Sequence, residues 1–228
     1  MSELVESKEQ LKLLQREHRL RGHTYRDFAA PGVQLGEADL ADSIFERVTF
    51  SEAEMFGVDL SRATLKRVDL RKANLASSFL ASTALTDCDL TETSFECAQL
   101  ERLEFFTSQL GNLNLSRARL GSCRFSACRL YGLRAPEAVL TRCAFTDGGP
   151  HLPVEITKAQ LQKATLVDCN FRGVNLFRAD FSGALVIGCD FSGALLTAAN
   201  IDGARFIGCN LRGADLPDGM RTFSEERV

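Results

Sequence analysis

The side chains able to do chemistry are few, and their spacing serves something else. Eight cysteines and three histidines stand among 228 residues, enough in number for a zinc site, a thiol nucleophile or a disulfide framework. Zinc is held by ligands in close pairs, and the chain has no Cys-x-x-Cys pair and no His set beside a Cys. A nucleophile needs a base within hydrogen-bond reach, yet no regular spacing places a Ser or Cys with His18, His23 or His151. Cys88, Cys123, Cys128, Cys143, Cys169, Cys189 and Cys209 all share one position of a five-residue period, and only Cys97 falls elsewhere. In such a slot Cys behaves as a small hydrophobe. Asp recurs directly before a large apolar residue, as in Asp59-Leu60 and Asp69-Leu70, which reads as turn chemistry rather than as a general acid. No glycine loop has the form that cradles phosphate; Gly173, Gly183, Gly193, Gly203 and Gly213 recur at turn positions. These residues predict no catalytic site, metal or cofactor, and a non-enzymatic protein.

The period itself is the dominant signal. Every fifth residue from Leu35 to Phe145 is large and apolar, Ala135 excepted. After a Gly/Pro interruption the row resumes one residue out of step, from Ile156 through Phe171, Phe181 and Phe191 to Leu216. Small residues stand two before these, among them Ala38, Ala73, Ala118 and Ala179. Five matches neither the helical period nor that of an ordinary strand. Fixed internal periodicity indicates a stacked repeat architecture.

The unit is small–x–Leu/Phe–x–x, with Asp or Asn frequent before the large residue, as in Ala38-Asp39-Leu40, Ala73-Asn74-Leu75, Ala179-Asp180-Phe181 and Ala214-Asp215-Leu216. It resembles the pentapeptide-repeat family, whose pattern is A(D/N)LXX, over residues 33–217. The resemblance implies an all-β fold, a right-handed quadrilateral β-helix with four units to each twenty-residue coil. At about 4.8 Å per stacked strand, about nine coils would make a rod roughly 43 Å long. The large residue and the small one before it would face inward, and the other three solvent.

Three segments are expected: residues 1–32 as an N-terminal helix and capping segment, 33–217 as the repeat array, and 218–228 as a tail. Residues 3–21 read as an amphipathic helix, with Leu4, Leu11 and Leu14 on one side and Gly22 as its stop. Such a helix would cap the open edge of a β-helix; a partner-binding helix is the alternative. The interruption at 146–155 has two glycines and two prolines. Pro cannot donate to a ladder, so a loop is expected at Gly148, Gly149, Pro150, His151, Leu152 and Pro153. From Phe145 to Ile156 is two repeats plus one residue, which predicts stacking that continues past a one-residue bulge. No apolar run reaches membrane-spanning length, and the charged first residues do not resemble a secretory signal. A cytoplasmic protein with no membrane contact is expected.

Charge divides the array. Residues 37–104 carry 14 acidic and 7 basic side chains, whereas residues 105–142 carry six arginines, from Arg117 to Arg142, against Glu137 alone. Members of the family that resemble a DNA duplex in size and charge bind DNA gyrase or topoisomerase IV and protect it from poisons. The resemblance therefore implies a DNA-mimicking protein whose partner is a type II topoisomerase. Asp39, Asp42, Asp59, Asp69, Asp87 and Asp89 are the candidate contacts on the rod, with the 148–153 loop reaching a second surface. The arginine belt argues against uniform mimicry, and the rival function is a scaffold for an unrelated protein. Direct nucleic-acid binding is not expected. Finally, Val167, Ile187 and Ile207 fall one coil apart on an outward row beside Leu185, which predicts a homodimer or a partner strip there, or cover by the terminal segment.

Overall fold

In the computed structural model, residues 2–146, 154–217 and 220 are described. The chain forms a right-handed quadrilateral β-helix of about ten turns with one short helix near its start. Each large apolar residue sits at the middle of a short extended segment and is paired in parallel with its counterpart one coil on, as Phe45 is with Leu65 and Leu65 with Leu85. Two adjacent sides form regular sheets of eight and seven strands. The other two are built from single bridges such as Asp69↔Asp89 and Asn74↔Ser94. We number the faces in chain order by their central residues: first (25, 45, 65), second (50, 70, 90), third (55, 75, 95) and fourth (60, 80, 100).

Two residues after each centre the backbone turns a corner in the left-handed region. Glycine is not required there: Glu37, Asp42 and Glu52 hold φ of 60°, 60° and 58°. That conformation costs an ordinary residue something, and the coils offset it. The Asp42 N–H donates to Ser61 O at 2.9 Å and that of Glu52 to Arg71 O at 2.8 Å, so each corner is tied to the next coil.

The core is four columns of central residues. On the first face Phe105, Phe125, Phe145, Phe171 and Phe191 stack with successive ring centroids 4.7–5.0 Å apart. The small inward residues are chosen for more than size. Ser78 Oγ, Thr83 Oγ1 and Thr93 Oγ1 each donate to the carbonyl 23 residues back, and Cys88 and Cys123 Sγ do the same. A hydroxyl or thiol thus fits where alanine would, because it finds an acceptor inside the core.

Three expectations need correction. The helix α1 spans only Lys8–Arg16, not 3–21. Ser7 caps it by accepting the Gln10 N–H, and beyond Glu17 the backbone of His18 turns left-handed. Leu4–Val5 are a strand, β1, paired with Thr24–Tyr25 of β2 (Thr24–Arg26). The coil also begins before residue 33, because Tyr25 and Ala30 occupy central slots without the repeat's consensus residues; Tyr25 stacks on Phe45 at 4.7 Å. Last, the interruption is not two repeats plus one. Val139 pairs with Thr165 and Arg129 bridges to Glu155, so Phe145 to Ile156 is one repeat plus six inserted residues. The Phe145–Phe171 stack fixes this phase, and the Gly/Pro residues fall in the insertion. Loop residues 148–153 lie outside the described residues.

Buried Val5, Leu11 and Leu14 pack on the N-terminal end of the core with Leu20 and Tyr25. The helix therefore caps the coil. His23 joins the pieces: its Nδ1 accepts the Glu3 N–H at 2.8 Å, and its Nε2 lies 2.8 Å from Arg19 O. Of the terminal segment 218–228, only Met220 is described, and it is buried.

Candidate functional site

Among the described residues, the filled core leaves the outer faces as the extended surface. Side chains directly before and after each centre stand on a face, and those two after it stand on a corner. On this frame the six predicted acidic residues do not share a face. Asp39 and Asp59 are neighbours on the fourth, with Asp42 on its corner. Asp69 and Asp89 are neighbours on the opposite, second face, and Asp87 stands on the corner that leads to it.

Each is also engaged within the chain. Oδ1 of Asp39, Asp59, Asp69 and Asp89 accepts the N–H two residues on, at 2.8–3.0 Å. This is the Asx turn expected of Asp in a corner. Arg21 spans Asp39 and Asp42, and Arg62 meets Asp42 from the next coil at 2.6 Å. Those hydrogen bonds, from Arg62 first and then Arg21, hold the Asp42 carboxyl down at about 2. Arg71 bonds Asp69 and reaches Asp89 at 3.8 Å, and its hydrogen bond lowers the Asp69 pKa. Asp87 accepts the Thr107 hydroxyl.

Opposite charges one coil apart form further ladders: Asp27 with Arg47, Arg26 with Glu46, and Glu104 with Arg124. Sequence reasoning missed these ladders, although a twenty-residue alternation of sign would have marked them. It also missed the shape of the arginine belt. Arg119, Arg124, Arg129 and Arg134 stand five apart, one directly before each centre of a single coil, so they ring the rod with one guanidinium per face.

The predicted strip is brought together on the fourth face. Val167 pairs with Ile187 and Ile187 with Ile207, while Leu185 stands over Thr165. Ile207 is 42% exposed, and Val167, Leu185 and Ile187 are half-buried. Five of the inward cysteines form a column. Because the insertion sets Cys143 beneath Cys169, Cys123, Cys143, Cys169, Cys189 and Cys209 follow one another coil by coil along one inner corner. Burial pushes the Cys88 thiol up to about 11, and neighbouring thiols together with burial push Cys143 and Cys169 up to about 12. These are protonated donors at neutral pH. No group of three or more His, Cys, Asp or Glu among the described residues is arranged to hold a metal. No described helix is long and apolar enough to cross a membrane.

A filled four-sided coil of A(D/N)LXX units defines the class. The sequence profile for pentapeptide repeats matches in eight copies over residues 34–71, 69–102, 155–193 and 189–218, and the chain belongs to that family. Among solved structures it is similar to HetL, a pentapeptide-repeat protein involved in heterocyst differentiation regulation from the cyanobacterium Nostoc sp. strain PCC 7120. The two share 23% identity over 93% of this chain and 98% of HetL, with a TM-score of 0.51. It is also similar to QnrB1, a plasmid-mediated fluoroquinolone resistance protein, at 16% identity over 90% of this chain and 98% of QnrB1, with a TM-score of 0.41. These likenesses concern the fold. No curated protein matches the chain in sequence.

Proposed function

We propose that this chain is a non-enzymatic protein-binding rod whose partner is a type II topoisomerase, which it shields from a poison by occupying the place of DNA. The observation that carries this reading is the placement of acidic pairs on opposite faces. Asp39–Asp59 and Asp69–Asp89 run along opposite sides of the N-terminal half at strand spacing. A cleft that holds a duplex meets phosphate on both sides, and this half would offer carboxylates on both. Intramolecular arginines reduce that field without abolishing it: residues 37–104 keep 14 acidic against 7 basic side chains.

One observation favours a second reading. The ring of Arg119, Arg124, Arg129 and Arg134 opposes mimicry in mid-rod and suits a scaffold for an acidic protein. The deciding experiment is gyrase supercoiling in the presence of a fluoroquinolone, titrated with this protein. Restored supercoiling that weakens on deleting residues 148–153 or on Asp39→Asn with Asp59→Asn supports the first reading. No restoration, with no gyrase binding, leaves the scaffold.

A further inference from the structure

In the N-terminal half Asp39, Asp42, Asp69 and Asp89 are in ion pairs, whereas the charges flanking the apolar strip are not. Glu101, Arg119, Glu137, Arg142, Lys163 and Asp168 all border the fourth face, and none is in an ion pair among the described residues. Their arrangement has a pattern. Glu137 and Arg142 stand on opposite corners of one coil, either side of Val139–Thr141. On the next coil Lys163 and Asp168 stand either side of Thr165–Val167, with the signs exchanged. Both lean toward the following coil, Lys163 over Gly183 and Asp168 over Gly188, so they stay level with each other. One coil below Glu137, the Glu101 carboxylate fills the space that a side chain at Gly121 would take, level with Arg119 across the strand.

At three successive levels, then, one edge of the face carries the charge opposite to the other. A face of this kind is complementary to itself under a two-fold axis parallel to the rod. That rotation keeps height and exchanges the edges, so Glu137 meets Arg142 of a copy, Lys163 meets Asp168, and Arg119 meets Glu101. Every pair occurs twice. The operation also lays Leu185 against Ile187 in the centre, between the Lys163 and Asp168 side chains that lean over Gly183 and Gly188. The antiparallel alternative, with its axis across the rod between these coils, sets like edges together and still pairs Glu137 with Lys163 and Arg142 with Asp168, but it lays Leu185 against Arg119 and loses the apolar contact.

We propose that the fourth face from Gln99 to Ile207 is a parallel two-fold interface between two copies of this chain, with an apolar strip at one end and crossed ion pairs along the rest. This goes beyond the topoisomerase reading and holds whatever the acidic half binds. Six coils at about 4.8 Å give a contact about 29 Å long and one strand wide. That is small for a permanent dimer, so micromolar association is expected.

The test is sedimentation velocity of the full chain from low to high micromolar protein. A mass that doubles with concentration is expected for the wild type, and a monomer throughout for Ile187→Glu. Glu137→Arg and Arg142→Glu should each weaken association about tenfold or more, since each sets like charges face to face twice. The double variant should recover most of the loss. All three positions lie on the outer surface, and unchanged thermal unfolding would confirm that each variant folds. A wild type that stays monomeric would overturn the proposal. So would a dimer indifferent to Ile187→Glu, in which case another surface holds the copies, or a double reversal that recovers nothing, which would exclude the parallel arrangement.

Discussion

Phe145 stacks on Phe171 with ring centroids 4.8 Å apart and planes 13° from parallel, although 26 residues separate them where neighbouring coils need only 20. The core passes the insertion without a break. Deleting residues 148–153 restores the ordinary coil length. The expected result is a folded protein whose thermal midpoint moves by no more than a few degrees. Calorimetry checks it, and an unfolded variant would mean that the array is phased differently.

Phe125 lies between Phe105 and Phe145, 4.9 and 4.7 Å from their centroids, and is fully buried. Phe125→Ala should cost about 3–5 kcal/mol in denaturant unfolding, from lost transfer energy and the cavity left behind. Phe125→Asp would bury an unpaired charge and should prevent folding. Phe106 is next to the same column in sequence but 49% exposed, and Phe106→Ala should fall within about 0.5 kcal/mol of wild type.

The column of thiols should be silent to solvent. Cys97 stands exposed on a corner, while Cys88, Cys123, Cys128, Cys143, Cys169 and Cys189 are buried and Cys209 is half-buried. Titration of the native protein with an aromatic disulfide at neutral pH should give one fast equivalent, lost in Cys97→Ser, with the buried thiols appearing only on denaturation. Fast reaction of several thiols would show that the column opens.

Acid should act through Asp42. Its folded pKa lies at about 2, below the ordinary 3.8, because Arg62 and Arg21 hydrogen-bond the ionised form. A depressed folded value means that the stabilisation is complete above the ordinary carboxylate range and is lost as pH falls from about 4 to about 2. Unfolding measured across that window should show a smaller acid-dependent loss in Asp42→Asn than in wild type. An identical profile would mean that the two arginines contribute nothing there.

The inward rows were legible because burial repeats one chemical choice every five residues, and a column of Leu and Phe tolerates little else. Less legible were the places where the coil runs on other residues. Tyr25 and Ala30 occupy central slots outside the consensus, and Leu4–Val5 joins the coil as a strand where helical periodicity suggested a longer helix. The insertion was misphased because counting from Phe145 to Ile156 cannot separate a bulge after two repeats from six residues after one; only the stacking partner of Phe171 decides. On the surface, sequence gave the strip of Val167, Ile187 and Ile207, since their spacing equals one coil. It did not show that Asp39 and Asp69 face opposite ways, because face depends on residue number modulo twenty rather than on local composition. Nor did it show which arginine neutralises which carboxylate.

Binding of gyrase to the labelled full chain, with linear duplex DNA as competitor, tests the functional account most directly. If the N-terminal half occupies the place of DNA, binding should be saturable, should be displaced by the duplex, and should weaken in the Asp39→Asn, Asp59→Asn double variant. Absence of binding, or binding indifferent to DNA, would contradict it.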